Sequence, residues 1–404
     1  MLDTIYIGLS GMQAYSHGLN VISNNVANLN TVGFKTSSAD FKDLVFQSAA
    51  ASLNGEPQTT SPGAGVASDT LTASFAQGQL SATNAPLDAA IDGNGFFMLN
   101  DNGTMLYTRA GQFEIDKNGN LVETNSQLPV MFSTAATTVG PLNVNAFQTN
   151  PPIATSTVTL VGNLAQDGTT TTFDTPAITV YDSSGASESV TVHFVRNATN
   201  PLQWTGEVHD ASGAVLGSQV LTFNSDGTPT ASSLSIAATV TPKSAPKFKV
   251  TFNLGTAGTF GGVTDIASNG AASTVQSSHV DGQGIGTLTK YAFTTKGELQ
   301  ITYSNGNTNT IGTLVLARFQ TQDQLKEVGN GAFVAAGGAN PAIGTALGAG
   351  LGQIVGGNIE MSNVDLTNQF TDLIIIQRGY QAGSQMVSMA SEMIQQLLDM
   401  SRGR

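Results

Sequence analysis

The sequence predicts an α+β chain, mostly β, with paired N- and C-terminal helices and two β-rich domains nested between them. Three observations carry this expectation. Apolar residues recur at helical spacing near both ends, and the middle is dense in Asn-Gly and Asp-Gly turn signals separated by short alternating runs. The chain has 404 residues, more than one ordinary domain holds.

At the N-terminal end, Ile5, Met12, Leu19 and Val26 recur every seven residues, and Tyr15, Ile22 and Leu29 follow three positions behind. This is a coiled-coil-like stripe. Near the C-terminus, Leu366, Phe370, Leu373, Tyr380, Val387, Ile394 and Leu398 form a second one, with Asp365 placed to cap it. Both stripes are interrupted by glycine, at Gly8, Gly11 and Gly18 and at Gly379 and Gly383. Each glycine costs about 1 kcal/mol in a helix interior. The two helices are therefore marginal alone and need partners, either each other or further copies of the chain.

Between them, Asn-Gly occurs at 54, 94, 102, 118, 305 and 330, and Asp-Gly at 92, 167, 226 and 281. The runs 177–181, 189–195, 215–223, 247–254, 299–303 and 313–319 read as strands. Residues 118–195 contain no Lys or Arg, Asn150-Pro151-Pro152 has the composition of a linker, and 255–278 is rich in Gly, Ala and Ser. These breaks predict a helical core from 1–30 plus 359–404 and a linking segment at 31–71. They further predict an inner β domain from 72–146 plus 277–358, with an outer β domain, 147–276, inserted in it.

Composition excludes several functions. Lys and Arg number 15 against 28 Asp and Glu, a net charge of −13, so no basic surface for nucleic acid is expected. With no cysteine, thiolate metal sites and cysteine nucleophiles are impossible. The longest aliphatic cluster, 373–376, is far short of a membrane span, and the N-terminal segment lacks the pattern of a cleavable signal. His17, His193, His209 and His279 have no metal-ligand spacing and read as structural. The 116–120 segment, DKNGN, lacks the later glutamate of a calcium loop and reads as a hairpin turn. The glycine runs at 282–286 and 348–352 lack a nucleotide-binding setting. No catalytic, cofactor or metal residues are assigned, and the chain reads as a non-enzyme.

Four blocks carry a resemblance. Directly after the first helical stripe, residues 24–35 read NNVANLNTVGFK, with Asn24, Asn25, Asn28, Asn30 and Thr31 available for backbone hydrogen bonds, Gly33 free to turn and Phe34 as an anchor. Residues 87–97, LDAAIDGNGFF, and 107–113, YTRAGQF, follow. Near the C-terminus stand Ser362, Asn363, Val364 and Asp365, then Gln377, Arg378, Gly379 and Tyr380. In this order the blocks resemble the bacterial flagellar rod and hook family. The middle segments ITVYDSSG at 178–185 and LTFNSDG at 221–227 resemble the inserted domain of its hook members rather than its shorter rod members.

That resemblance implies a structural subunit of a flexible curved tube, a universal joint that links the basal-body rod to the filament and transmits torque. It implies type III export, self-assembly through the terminal helices, and an extracellular location on the flagellum. The implied partners are further copies of the chain, the distal rod protein, the hook cap, the hook–filament junction proteins and the export apparatus, with no membrane insertion. A distal rod subunit of the same family is the nearest alternative, and a secreted β-rich adhesin or enzyme a more distant one.

Overall fold

A computed structural model describes residues 2–45, 63–135, 138–166, 171–242, 245–267, 269–321, 324–348 and 350–402. It is mostly β with a helix at each end: α1 spans Leu2–Ala27 and α2 spans Leu366–Arg402. The chain divides into two compact units. One comprises Met1–Asn145, Tyr291–Ile301 and Asn309–Arg404, and the other Ala146–Lys290 with Thr302–Thr308.

In the first unit, α1 and α2 pack antiparallel. Close contacts link Gly8 with Val387 and Gly383, Met12 with Gly383, Tyr15 with Gly379, and Gly18 with Ile376. The segment expected only to link the helices to the β body carries strands of its own. β1, Ser37–Val45, pairs antiparallel with β2, Gly63–Ala73, and residues between them lie outside those described. This sheet lies on α1: Val66 N donates to Ser10 Oγ at 3.2 Å, and the Tyr15 and Phe41 rings are 5.7 Å apart.

The β body of this unit centres on the hairpin of Phe96–Asp101 and Thr104–Thr108, closed by the predicted Asn102-Gly103 turn. Thr308–Arg318 flanks it on one side and Ala332–Ala335 on the other. Phe96, Met98, Tyr107, Val315, Ala317 and Phe333 form one of its buried clusters, with Phe75 and Phe319 against it. Two small ladders position the helices: Gln353–Gly356 on Ala89–Asp92, and Asn358–Glu360 on Leu80–Ala82.

The second unit packs two sheets around one core. Ser235–Val240, Phe248–Asn253, Thr157–Asn163 and Val263–Thr264 form one sheet. Thr172–Asp174, Ser187–Arg196, Gln203–Asp210 and Val215–Thr222 form the other. Burial alternates along Gln203–Asp210, and the inward set includes Trp204, Phe194, Val192 and Val208, packed with Leu160, Ile236 and Phe252. Residues 277–290 belong to this unit, so the expected return at 277 comes too early. The cause is pairing: Gln276–Val280 runs antiparallel on Thr157–Asn163 and must stay with it.

Aspartate builds the turns. Asp182 Oδ1 accepts from Ser184 N at 2.8 Å and Ala186 N at 3.0 Å, and Asp210 Oδ1 accepts from Ser212 N at 2.8 Å and Ala214 N at 2.8 Å. The fourth residue of each turn, Gly185 or Gly213, has φ of 85°, which favours glycine. Hydrogen bonds from Ser184 and Ser212, side chain first and then backbone amides, hold both carboxyls below the usual range. The DKNGN segment is the same device, with Asp116 Oδ1 bonded to the amides of Asn118 and Asn120.

Asp265 is the opposite case. It is buried beside Trp204, the sole tryptophan. Burial pushes its pKa up to about 6, with Trp204 and Arg196 pulling it part of the way back. The folded state then binds more protons than the unfolded state between pH 3.8 and about 6. Stability from this site is full below that window and falls as pH rises through it. Asp265→Asn should flatten the fall in melting temperature between pH 4 and 6.5, read by Trp204 fluorescence. An unchanged slope would show that this carboxyl does not set it.

Candidate functional site

Few charges are present, and three of them meet in the interior of the first unit. Glu360, at the end of its short strand, is fully buried. Lys35 Nζ donates to Glu360 Oε1 at 2.7 Å, Gly78 N to the same oxygen at 2.7 Å, and Arg109 Nη1 to Glu360 Oε2 at 3.1 Å. Lys35 also donates to Ala76 O at 2.8 Å and Arg109 to Gly93 O at 2.9 Å, while the Arg109 guanidinium lies over the Phe96 ring at 5.2 Å. The backbone joins in, with Gly33 N donating to Glu360 O at 2.8 Å. Burial lowers the pKa of both cations, and the Glu360 carboxylate opposes that shift.

Beside this cluster the signature residues tie the two chain ends together. Asn25 is buried; its amide donates to Ser37 O at 2.8 Å and to Gln369 Oε1 at 2.9 Å, and its Oδ1 accepts from Ser37 N at 3.1 Å. Asn363 Oδ1 accepts from Thr36 N at 2.8 Å and from the Thr36 hydroxyl at 2.7 Å. Asn363 Nδ2 donates to Ser74 O and Ala76 O. Asp365 caps α2, its Oδ1 accepting from Thr367 N at 2.8 Å. Gly33 has φ of 71° and packs on Arg109 and Ala110, where a Cβ would come within 2.5 Å of backbone. Phe34 is buried beside it in sequence. Asn24, Asn28 and Thr31 instead bond among themselves to shape the turn, and Asn30 is exposed. Gln377 and Arg378 are exposed on α2, away from this junction in sequence.

The sequence pattern missed Glu360 and Gln369. A signal was available for Glu360: it is a lone charge between Ile359 and Met361, in a chain where the blocks at 24–35 and 107–113 each carry one cation, Lys35 and Arg109.

The helical stripes divide into two sets. Ile22 is buried, while Ile5, Met12, Leu19, Val26, Leu373, Val387 and Ile394 are half-buried in the paired helices. Leu366, Phe370, Tyr380 and Leu398 are exposed, Phe370 at 53%. So are Ile375, Met386, Met389, Met393, Leu397 and Met400. At about 100° per residue, these six fall in one arc of about 80° beside the face that meets α1. On α1, Tyr6, Ile7 and Leu9 are exposed as well. The paired helices thus carry an exposed apolar surface above the buried junction. No helix among the described residues is long and apolar enough to cross a membrane.

Comparisons with known proteins follow the same division of the chain. Residues 5–35 match the family described as flagella basal body rod protein, and 355–400 the flagellar basal body rod FlgEFG protein C-terminal family. Residues 90–146 match the flagellar hook protein FlgE/F/G D1 domain, and 154–310 the flagellar basal body protein FlaE D2 domain. The flagellar hook protein FlgE of Treponema pallidum is 32% identical over the full length of both chains. That of Borreliella burgdorferi is 29% identical over 98% of this chain and 99% of its own. That of Salmonella typhimurium is 29% identical over 97% and 98%.

Three substitutions test the junction and the helix contact. Glu360→Gln leaves two buried cations without a counter-charge and should cost about 3–5 kcal/mol. Lys35→Met leaves the Arg109–Glu360 pair balanced and should cost less, with urea unfolding giving the order; the reverse order would contradict the account. Gly8→Val places a Cβ within 2.8 Å of Val387 Cγ2 and should lower helicity by circular dichroism while the β signal is retained.

Proposed function

The chain belongs to the flagellar hook protein family and is a structural subunit of the bacterial flagellar hook; from that premise we propose how its surfaces build the structure. The observation that carries the proposal is the apolar face left uncovered on the paired helices. Ile375, Met386, Met389, Met393, Leu397 and Met400 are exposed along one arc of α2. A contiguous apolar stripe of this kind on a water-soluble subunit needs a partner surface, and further copies of the same chain supply one. Methionine suits a contact that repacks, since its flexible thioether fills irregular gaps.

In this reading the paired helices form the polymerisation core. The helical core comprises 1–30 and 359–404. Assembly residues are Leu366, Phe370, Tyr380 and Leu398, together with the methionine row. Ile5, Met12, Leu19, Ile22, Val26, Leu373, Val387 and Ile394 hold the pair together. Asn25, Gly33, Phe34, Asn363 and Asp365 set the junction, Asn24, Asn28 and Thr31 shape the turn after α1, and the exposed Asn30, Gln377 and Arg378 are left for contacts with neighbouring copies. The subunit reaches its place outside the cell by type III export. It meets the distal rod protein at one end of the tube, the cap during growth, and the junction proteins at the other end.

Bending requires copies to slide over one another while torque passes through them. Only 11% of residues are charged, so outer surfaces rich in Thr, Ser, Asn and Gly offer wet, exchangeable contacts rather than fixed ion pairs. The β units supply those surfaces and the helices supply the permanent ones.

Met393→Lys and Met389→Asp each place a charge on the uncovered face. Both variants should melt as the unmodified monomer does and should fail to form tubular polymers in negative-stain images and sedimentation. Normal tubes from both variants would remove the helix face from the assembly account.

A further inference from the structure

Sheet register in the second unit brings together two histidines that are 16 positions apart in sequence. His193 lies in Ser187–Arg196 and stands opposite Glu207, while His209 lies on the same outward face two residues beyond Glu207. Asp174, on the neighbouring strand, stands opposite His193 on its other side. The imidazole centroids are 5.6 Å apart with their planes inclined by 48°.

We propose that His193 and His209 form a two-imidazole site for a divalent transition-metal ion on the outer face of this sheet. Hydrogen bonds fix which nitrogen of each ring is available. His193 Nδ1 lies 2.5 Å from Asp174 Oδ1, and His209 Nε2 lies 3.2 Å from Glu207 Oε2. An ionised carboxylate only accepts, so each of these nitrogens carries the proton. In the neutral ring, the metal-binding form, the lone pair is then on His193 Nε2 and on His209 Nδ1. A carboxylate holding the far nitrogen of a ligating histidine is the usual outer-shell arrangement, and it raises ligand basicity.

Spacing agrees. With a metal–nitrogen distance of about 2.0–2.1 Å, each ring centroid sits about 3.2 Å from the ion, so two rings sharing one ion have centroids about 4.5–6.4 Å apart for angles of 90° to 180°. The observed separation falls inside that range. Both histidines are about a quarter exposed, which leaves the ion a path from solvent. Among the described residues no group of three or more His, Asp or Glu is arranged to hold an ion. The site therefore has two protein ligands, two outer-shell carboxylates and water in the remaining positions. Two imidazoles favour Cu(II) over Ni(II) and Zn(II) by the ordinary stability order. The bound ion would tie two neighbouring strands together on a face remote in sequence from both helices.

Cu(II) titrated into the full chain tests this. Electron paramagnetic resonance should show one tightly bound ion with two imidazole nitrogens. His193→Gln/His209→Gln should abolish that signal, and His17→Gln/His279→Gln should leave it intact. Asp174→Asn should weaken binding by about 10–100-fold, with Trp204 fluorescence showing the fold unchanged. A single-nitrogen spectrum from the unmodified chain overturns the proposal without reference to any variant. Equal binding by the His193/His209 double variant overturns it as well.

Discussion

The first unit depends on one buried carboxylate. Glu360 accepts from Lys35, Arg109 and the Gly78 amide, and its own carbonyl receives Gly33 N. These partners come from the segment after α1, from the segment after β2 and from the β body, while Glu360 itself stands before α2. A buried carboxylate without them would be too costly to keep ionised, and two buried cations without it equally so. The three groups are stable only together, and together they fix where both helices leave the β body. Asn25 and Asn363 extend the same junction with neutral hydrogen bonds, which supply direction without further charge.

From that junction the helices run antiparallel with glycine at the crossing points. Gly8 against Val387, Gly379 against Tyr15 and Gly383 against Met12 leave room for close approach. The same glycines lower the helices' intrinsic stability. The pair is thus held by its base and by a narrow seam, and it keeps a broad apolar face uncovered. In the proposed assembly, neighbouring copies would cover that face.

Much of this was legible in the sequence. The seven-residue stripes located both helices, the Asn102-Gly103 signal located the central hairpin, and the 24–35 and 362–365 blocks located the junction. What was hidden depends on pairing over long separations. Glu360 meets Lys35 across 325 positions, and no local pattern encodes that meeting. His193 and His209 looked scattered because sheet register, not spacing, places them on one face. The end of the second unit was misplaced for the same reason: a composition break at 255–278 is visible locally, whereas the pairing of Gln276–Val280 with Thr157–Asn163 is not. Periodicity found the apolar residues of α2, but it could not say which of them the chain covers itself.

In the proposed assembly the helix pair is completed by neighbouring copies rather than by its own chain. Amide hydrogen exchange, compared between monomer and assembled tubes, is the decisive measurement. Exchange along the distal half of α2, around 386–400, should be fast in the monomer and strongly slowed in the tube, while the strands around Trp204 exchange alike in both. Equal protection of 386–400 in monomer and tube would show that the chain completes the pair itself.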